Sequence, residues 1–377
     1  MDSKTFIDNL GINFFTGVPD SVLNSFCFEL LADKNKTVKI GVNEGACLAM
    51  AAGHYVATKN VPCVFMQNSG LGNIVNPYTS LANEKVYGIP MLFVVGWRGE
   101  PGVKDEPQHA FMGEITDKLL ETLEIEYKVI DKDTTIKELG DTMRIFREKF
   151  AEGKSCAFII KKGALLGDAK GGNTSNYEIV REKAIEIIIS KTGGEHLVVS
   201  STGKISRELF EIRKKLGQSH SQDFLTVGSM GFASSIAFQI ANELPERKIV
   251  CIDGDGAALM HLGAMATIGE NIPKNFTHII LDNESHESVG GMPTDSKNVD
   301  WVGLAKSLGY KSAKVVLHYK DLEKHDLFDG GLLVVKTNKT SRGDLGRPTT
   351  TAKENIKNFM EEITNEKLAA RTKKSKT

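Results

Sequence analysis

The chain has 377 residues, a formal net charge of −1, and 41% hydrophobic residues. That length and apolar content support two ordinary domains with full cores. The balanced charge excludes a global field that would draw the chain to nucleic acid or to a membrane surface, and no apolar run approaches the length of a membrane span.

The start, MDSKTFIDNL, has neither a basic region nor an apolar stretch, so no secretory signal is expected. Cys27, Cys47, Cys63, Cys156 and Cys251 are scattered, odd in number and without metal-ligand spacing. They read as buried free thiols in a reducing cytoplasm.

The first half alternates regularly. Strands are predicted at Asn13–Gly17, Val38–Asn43, Pro62–Gln67, Pro90–Val95, Tyr127–Ile130 and Ala157–Lys161. Helices are predicted between them at Ser21–Asp33, Glu44–Lys59, Gly72–Asn83, Ile115–Leu123 and Ile136–Glu152. Apolar strands separated by helices of that length imply a parallel, doubly wound sheet. The Gly-rich stretch Gly163–Asn176 breaks the pattern and reads as a linker.

The second half starts the alternation again. It runs through helix Glu178–Ser190, strand Leu197–Ser201, helix Ile205–Leu216, strand Phe224–Val227 and helix Phe232–Asn242. After the stretch Lys248–Asn283 come helix Trp301–Leu308, strands Ser312–Val316 and Leu332–Lys336, and helix Thr351–Glu362. Domains are therefore expected at 1–165 and 178–366, with a linker at 166–177 and a flexible basic tail at 367–377.

Lys248–Asn283 carries the strongest chemistry. Apolar Ile249–Ile252 leads into Asp253-Gly254-Asp255-Gly256, then a small-residue helical segment, Ala257–Gly269, then a second strand, Thr277–Leu281, ending in Asp282-Asn283. In a βαβ unit this puts Asp255 and Asn283 at the carboxyl edge of the sheet, where open α/β sheets bind ligands. Both are hard oxygen ligands suited to magnesium or calcium. Gly254 and Gly256 let a phosphate approach the backbone at a helix N-terminus. The competing reading is an ordinary Asp-Gly turn. Two nucleotide motifs fail: Leu259 stands where a dinucleotide fingerprint wants Gly, and Thr202-Gly203-Lys204 is followed by Ile205 rather than Ser or Thr.

Other strand ends carry candidates too. Asp20 closes Phe15-Thr16-Gly17-Val18-Pro19-Asp20, either near a substrate or as a helix cap. Glu44 stands at the start of an Ala- and Gly-rich helix, where it could be only a first-turn acid. Asn68-Ser69-Gly70 follows a strand and could be a plain turn. The loop Gly96–His109 carries Arg98, Lys104 and His109, a cationic set suited to an anionic substrate, though Glu100, Asp105 and Glu106 partly cancel it. Met230, between Gly228-Ser229 and Gly231, would be a core side chain without its flanking glycines.

In this order the motifs resemble the thiamine diphosphate-dependent decarboxylases, within them the branch acting on phosphonopyruvate or sulfopyruvate. The carriers are Gly17-Val18-Pro19-Asp20, Glu44, the Arg98-Gly99-Glu100-Pro101-Gly102 loop with Asp105-Glu106-Pro107-Gln108-His109, Gly228-Ser229-Met230-Gly231, Gly254-Asp255-Gly256 and Asn283. Asp282 departs from the family's Asn pair. The resemblance implies two doubly wound parallel-sheet domains, a pyrimidine half and a diphosphate half, with no middle domain. It implies thiamine diphosphate and Mg2+ as cofactors, with Asp255, Asn283 and the Ser285 carbonyl on the metal. Glu44 would bond the cofactor's aminopyrimidine nitrogen, with Asn68, Ser69 and Gly70 beside that ring. Gly228, Ser229 and Met230 would meet the pyrimidine from the other domain. Thr202, Gly203, Gly254, Gly256, Ala257 and His286 would lie near the diphosphate. Asp20, His109 and Arg98 would serve a small anionic 2-oxo acid such as phosphonopyruvate. The resemblance further implies self-association, with the active site at a subunit interface. Two rivals stay open: another thiamine-dependent decarboxylase or carboligase, and a non-catalytic α/β regulatory subunit.

Overall fold

The computed structural model describes residues 1–168, 175–192, 196–327 and 331–374. It divides into two compact units, Met1–Gly172 with His286–Thr294, and Asn173–Ser285 with Asp295–Thr377.

The first unit holds a six-stranded sheet of β1 (Phe14–Gly17), β2 (Thr37–Ile40), β3 (Cys63–Gln67), β4 (Leu92–Gly96), β5 (Glu126–Ile130) and β6 (Cys156–Ile160). All neighbours are parallel, in the order β2-β1-β3-β4-β6-β5. Strands β4 and β6 are buried along their whole length, which is why they read as unbroken apolar runs. A ring cluster of Phe6, Phe15, Phe26, Phe65 and Phe158 fills one face through edge-on contacts.

The second unit repeats the plan with β7 (Leu197–Ser200), β8 (Asp223–Leu225), β9 (Ile249–Gly254) and β10 (Phe276–Asp282). Two short strands follow, β11 (Ser285–His286) and β12 (Met292–Pro293), then β13 (Ala313–Val316) and β14 (Leu332–Lys336). The large sheet runs β13-β14-β10-β9-β7-β8, again all parallel. Val250, Ile252, Ile279 and Leu281 pack on one face of it, in a core with Ile185, Leu209 and Val335. The expected pair of doubly wound sheets is what the chain forms.

In each sheet the chain reverses its direction of growth after its first two strands. The reversal lies between β1 and β3 in the first and between β7 and β9 in the second. At such a point the flanking loops part and leave a crevice at the carboxyl edge.

Several predicted elements need correction. The helix expected over Ser21–Asp33 begins only at Asn24. The helix expected from Ile115 starts at Pro107, because proline at the first helical position costs nothing there; His109 is thus in a helix, not a loop. The segment expected over Ala257–Gly269 is two helices, Asp255–Met260 and Gly263–Glu270, because His261 leaves helical geometry at φ −129°, ψ 49°. The last helix runs Ala352–Lys374, so residues 367–374 of the expected flexible tail are helical. Residues 375–377 of that tail and residues 169–174 of the expected linker lie outside the described residues. Helices Ser3–Leu10 and Tyr319–Lys324 were not predicted.

All five cysteines are free and buried. Among the described residues no helix is long and apolar enough to cross a membrane.

Candidate active site

The first unit gathers its candidates at one sheet edge. Gly17 pairs with Ile40 and Phe65, and Gln67 with Gly96, so the loops after β1, β2, β3 and β4 leave the sheet together. Gly17 is required for this. A Cβ there would lie 2.0 Å from the Phe65 carbonyl oxygen.

Glu44 opens the helix Glu44–Thr58, with Asn43 as its cap accepting from the Gly45 N–H at 2.8 Å. It is 5% exposed, unusual burial for a carboxylate. Its Oε2 accepts from the Asn73 side-chain amide at 2.7 Å. Gly70 packs flat against it: a Cβ on Gly70 would come within 2.6 Å of Oε1. Asn73, three residues after Gly70, gave no signal of this role in the sequence.

Asp20 is fully buried, and both its oxygens are bonded. Oδ1 accepts from Gln67 Nε2 at 2.6 Å and Oδ2 from the Val22 N–H at 2.8 Å. Asp20 therefore shapes a turn and does not cap the helix, which starts four residues later. Ser69 Oγ donates to Gln67 Oε1 at 2.7 Å, so an exposed hydroxyl connects through Gln67 to a buried carboxylate. Gly96 leaves room for this carboxylate, since a Cβ there would lie 2.3 Å from Asp20 Oδ2.

Asn68 is buried, and its amide is committed within the protein. It donates to the Arg98 carbonyl and to Thr116 Oγ1, both at 2.8 Å, and accepts from the Arg98 N–H at 3.2 Å. Its side chain braces the loop after β4.

Arg98 is not a free cation. Its guanidinium grips Asp105 with Nε at 2.8 Å and Nη2 at 2.5 Å, and Nη1 reaches Ser21 Oγ at 2.9 Å. The Arg98 guanidinium holds the Asp105 carboxyl well below the usual carboxylate range. Asp105 also accepts from the Gly99 and Glu106 N–H groups. The expected open loop is therefore tied to itself. It is also clamped to the following helix: a Cβ on Gly113 would lie 1.7 Å from the Gly99 carbonyl oxygen. Burial, then the nearby Arg98 charge, lowers the pKa of His109, which favours the neutral imidazole. Lys104 is exposed.

The second unit gathers the remaining candidates around its own reversal point. Leu281 pairs with Gly254, so Asp255 and Asp282-Asn283 leave adjacent strands side by side. Asp255 is the first residue of its helix and is 3% exposed. Its Oδ2 accepts from Ser296 Oγ at 2.9 Å, and the same hydroxyl contacts Asp282 Oδ1 at 2.8 Å. Asp282 is further held by Trp301 Nε1 at 2.9 Å and Lys336 Nζ at 2.8 Å. This explains the acid at that position: it is buried, and a lysine balances it. Lys336 also meets Glu284 at 3.1 Å.

Asn283 is 4% exposed, and its Oδ1 accepts from the Ser285 N–H at 3.1 Å. Between them Glu284 adopts φ +57°, a left-handed bend uncommon for a side chain of that size. The buried Ser285 Oγ has no hydrogen-bond partner. The next residue, His286, belongs to the first unit, and desolvation pushes its pKa down to about 4. Asp255, Asn283 and Ser285 supply hard oxygens, the donor type that small divalent cations take.

Across the reversal point, Thr202 and Gly203 follow β7. Thr202 Oγ1 donates to the Val227 carbonyl at 2.8 Å, tying this turn to the one carrying Gly228 and Ser229. Ser229 and Gly231 take positive φ of 53° and 90°. A Cβ on Gly231 would lie 2.9 Å from the Ala257 carbonyl, so this turn packs directly on the Gly256-Ala257 helix start. Met230 is partly exposed at the tip and is no core side chain. Ser296, Trp301 and Lys336 gave no signal in the sequence, because each reaches the site from a separate later element.

Each unit thus carries buried polar groups beside the reversal point of a parallel sheet, where open α/β folds bind ligands. Residues 5–120 match the thiamine pyrophosphate enzyme N-terminal TPP binding domain, and residues 201–326 match the C-terminal TPP binding domain. The chain is 33% identical to a phosphonopyruvate decarboxylase of Streptomyces viridochromogenes, over 95% of this chain and 93% of that one. It is 32% identical to a phosphonopyruvate decarboxylase of Streptomyces hygroscopicus, over 85% of this chain and 82% of that one. It is also 35% identical to the beta subunit of sulfopyruvate decarboxylase from Methanococcus maripaludis, over 42% of this chain and 83% of that subunit. The chain belongs to the thiamine pyrophosphate enzymes of the phosphonopyruvate decarboxylase family.

Proposed function

We propose that this protein is a carboxy-lyase that converts 3-phosphonopyruvate to phosphonoacetaldehyde and carbon dioxide, using thiamine diphosphate and Mg2+, as a step in phosphonate biosynthesis. The observation that carries it is the near end-to-end similarity to phosphonopyruvate decarboxylases, together with the buried Glu44 carboxylate.

When bound, thiamine diphosphate supplies the electron sink for loss of carbon dioxide. Asp255, Asn283 and the Ser285 carbonyl would hold the metal, and the unpartnered Ser285 hydroxyl supports a further polar group there. Thr202, Gly203, Gly254, Gly256 and Ala257 would offer backbone to the diphosphate, with His286 as a further candidate. Gly228, Ser229 and Met230 would meet the ring portion. Glu44 Oε1 accepts no hydrogen bond from the described residues, while Oε2 is taken by Asn73. Oε1 is thus the atom that would hold a proton for exchange with a bound cofactor's aminopyrimidine nitrogen, beside Ser69 and Gly70.

Three groups serve the substrate. Arg98 keeps N–H groups beyond those on Asp105 and Ser21, and these suit a phosphonate or carboxylate oxygen. The neutral imidazole of His109 can accept or donate a proton. Asp20, linked through Gln67 to Ser69, would orient that hydroxyl beside the substrate.

The cofactor would be held between two copies, which makes the protein a homodimer or larger in this reading. The sulfopyruvate relatives support this, since separate beta and alpha subunits each match part of this one chain. Five buried free thiols fit a reducing, cytoplasmic setting. Turnover measured on phosphonopyruvate, sulfopyruvate and pyruvate tests the substrate. Preference for phosphonopyruvate supports the reading, and preference for sulfopyruvate would move the chain to the neighbouring branch.

A further inference from the structure

The second sheet carries a polar cluster that none of the roles above uses. Cys251 and Asp253 alternate along β9, and His278 stands on β10 directly across from Cys251. All three are buried with no exposure. Their intervening neighbours, Val250, Ile252 and Ile279, point to the opposite face and into its apolar core. The three ligand-type side chains therefore share the other face, the side where Tyr310 and Phe276 lie beside His278.

Their reactive atoms converge. The cysteine sulfur, a carboxylate oxygen and a ring nitrogen lie within 4.8 Å of one another. Asp253 Oδ2 and His278 Nε2 are 3.7 Å apart, too far for a hydrogen bond. Both are buried without any hydrogen-bond partner. Buried polar atoms in folded proteins are almost always paired, so two that face each other point to a missing third party. The separation suits two ligands of one tetrahedral ion, each about 2.0–2.2 Å from it.

The outer contacts orient the same atoms inward. Tyr310 Oη lies 3.1 Å from His278 Nδ1, which leaves Nε2 facing Asp253. Gly254 N–H bonds Asp253 Oδ1 at 3.0 Å, which leaves Oδ2 facing His278. Anchoring the far atom of each ligand in this way is the usual support of a metal site.

We propose that Cys251, Asp253 and His278 form a second metal site, for a zinc-class divalent ion. Sulfur with imidazole selects such an ion over magnesium, which prefers all-oxygen sites. One thiolate and one carboxylate balance its charge, and the fourth position takes water. Binding forms the Sγ–metal bond, breaks the S–H bond and releases that proton to solvent. The site is structural: it ties β9 to β10 immediately before the turn that carries Asp255.

The test uses the full chain, stripped with a chelator and then saturated with Mg2+ and thiamine diphosphate, so that the hard-oxygen site is filled. Co2+ is titrated anaerobically and followed by the thiolate-to-cobalt charge-transfer absorption. We expect one equivalent bound with a thiolate band, loss of that band in Cys251→Ser, and affinity lowered roughly tenfold or more in His278→Gln. Tyr310→Phe keeps all three ligands and should weaken binding by a smaller factor without loss of fold. Absence of the band in the wild-type protein overturns the proposal, whatever the variants do. So does a band of wild-type strength that persists in folded Cys251→Ser.

Discussion

The side-chain amide of Asn73 donates to Glu44 Oε2 at 2.7 Å, and this bond fixes which of the two carboxylate oxygens is left to act. A hydrogen bond to a charged group contributes about 1.5–3 kcal/mol. Asn73→Ala should lower kcat roughly 10- to 100-fold on phosphonopyruvate and, because the same bond supports the fold, lower the melting temperature measurably, while the affinity for Mg2+ changes little. Steady-state kinetics with a calorimetric cofactor titration checks this. An unchanged kcat would remove Asn73 from the account.

Two glycines make a matched pair of tests. In Gly70→Ala the new methyl group meets the Glu44 carboxylate at 2.6 Å, a side chain that can shift. The variant should fold but lose most decarboxylation. In Gly113→Ala the methyl group meets the Gly99 carbonyl at 1.7 Å, and backbone cannot yield so easily. That variant should lose stability, read as a clear drop in melting temperature.

The Arg98–Asp105 pair sets an acid dependence. The folded pKa of Asp105 lies below its ordinary 3.8, so its contribution to stability is present above that value. It is lost as pH falls through the lower folded value. Asp105→Asn should be less stable than wild type at neutral pH. The gap between the two acid-unfolding curves should close progressively below about pH 4.

Lys336 balances Asp282 at 2.8 Å in a buried setting. Removing one partner of such a pair typically costs about 3–5 kcal/mol, because the other charge remains buried. Lys336→Met should be destabilised on that scale in denaturant titrations. The double variant with Asp282→Asn, which removes the stranded buried charge, should recover part of the loss. Asp255→Ala should instead spare the fold and abolish Mg2+-dependent retention of thiamine diphosphate.

Much of this was legible in the residues. Strands such as β4 and β6, buried on both faces, read as continuous apolar runs, and Leu332–Lys336 has the predicted ends. Glu44 and Asp255 stood out because each follows a strand and starts a helix. The helix Ser3–Leu10 was readable but missed: Asp2 caps it, and Phe6, Ile7 and Leu10 form its buried stripe. What the sequence concealed was side-chain commitment. The loop's acids were seen to offset its cations, but nothing marked Asp105, seven residues on, as the one to grip Arg98. Asp282 looked like a departure from pattern until Lys336, from a later strand, was seen to balance it. Pairings between distant segments leave no local period or spacing to read.

Carbon dioxide release from phosphonopyruvate, with thiamine diphosphate and Mg2+ present, is the most direct measurement, made on wild-type protein and on Glu44→Gln. The account predicts robust turnover by the wild type and near-complete loss in a variant whose circular dichroism is unchanged. Near-normal turnover by Glu44→Gln, or no release by the wild type, would contradict it.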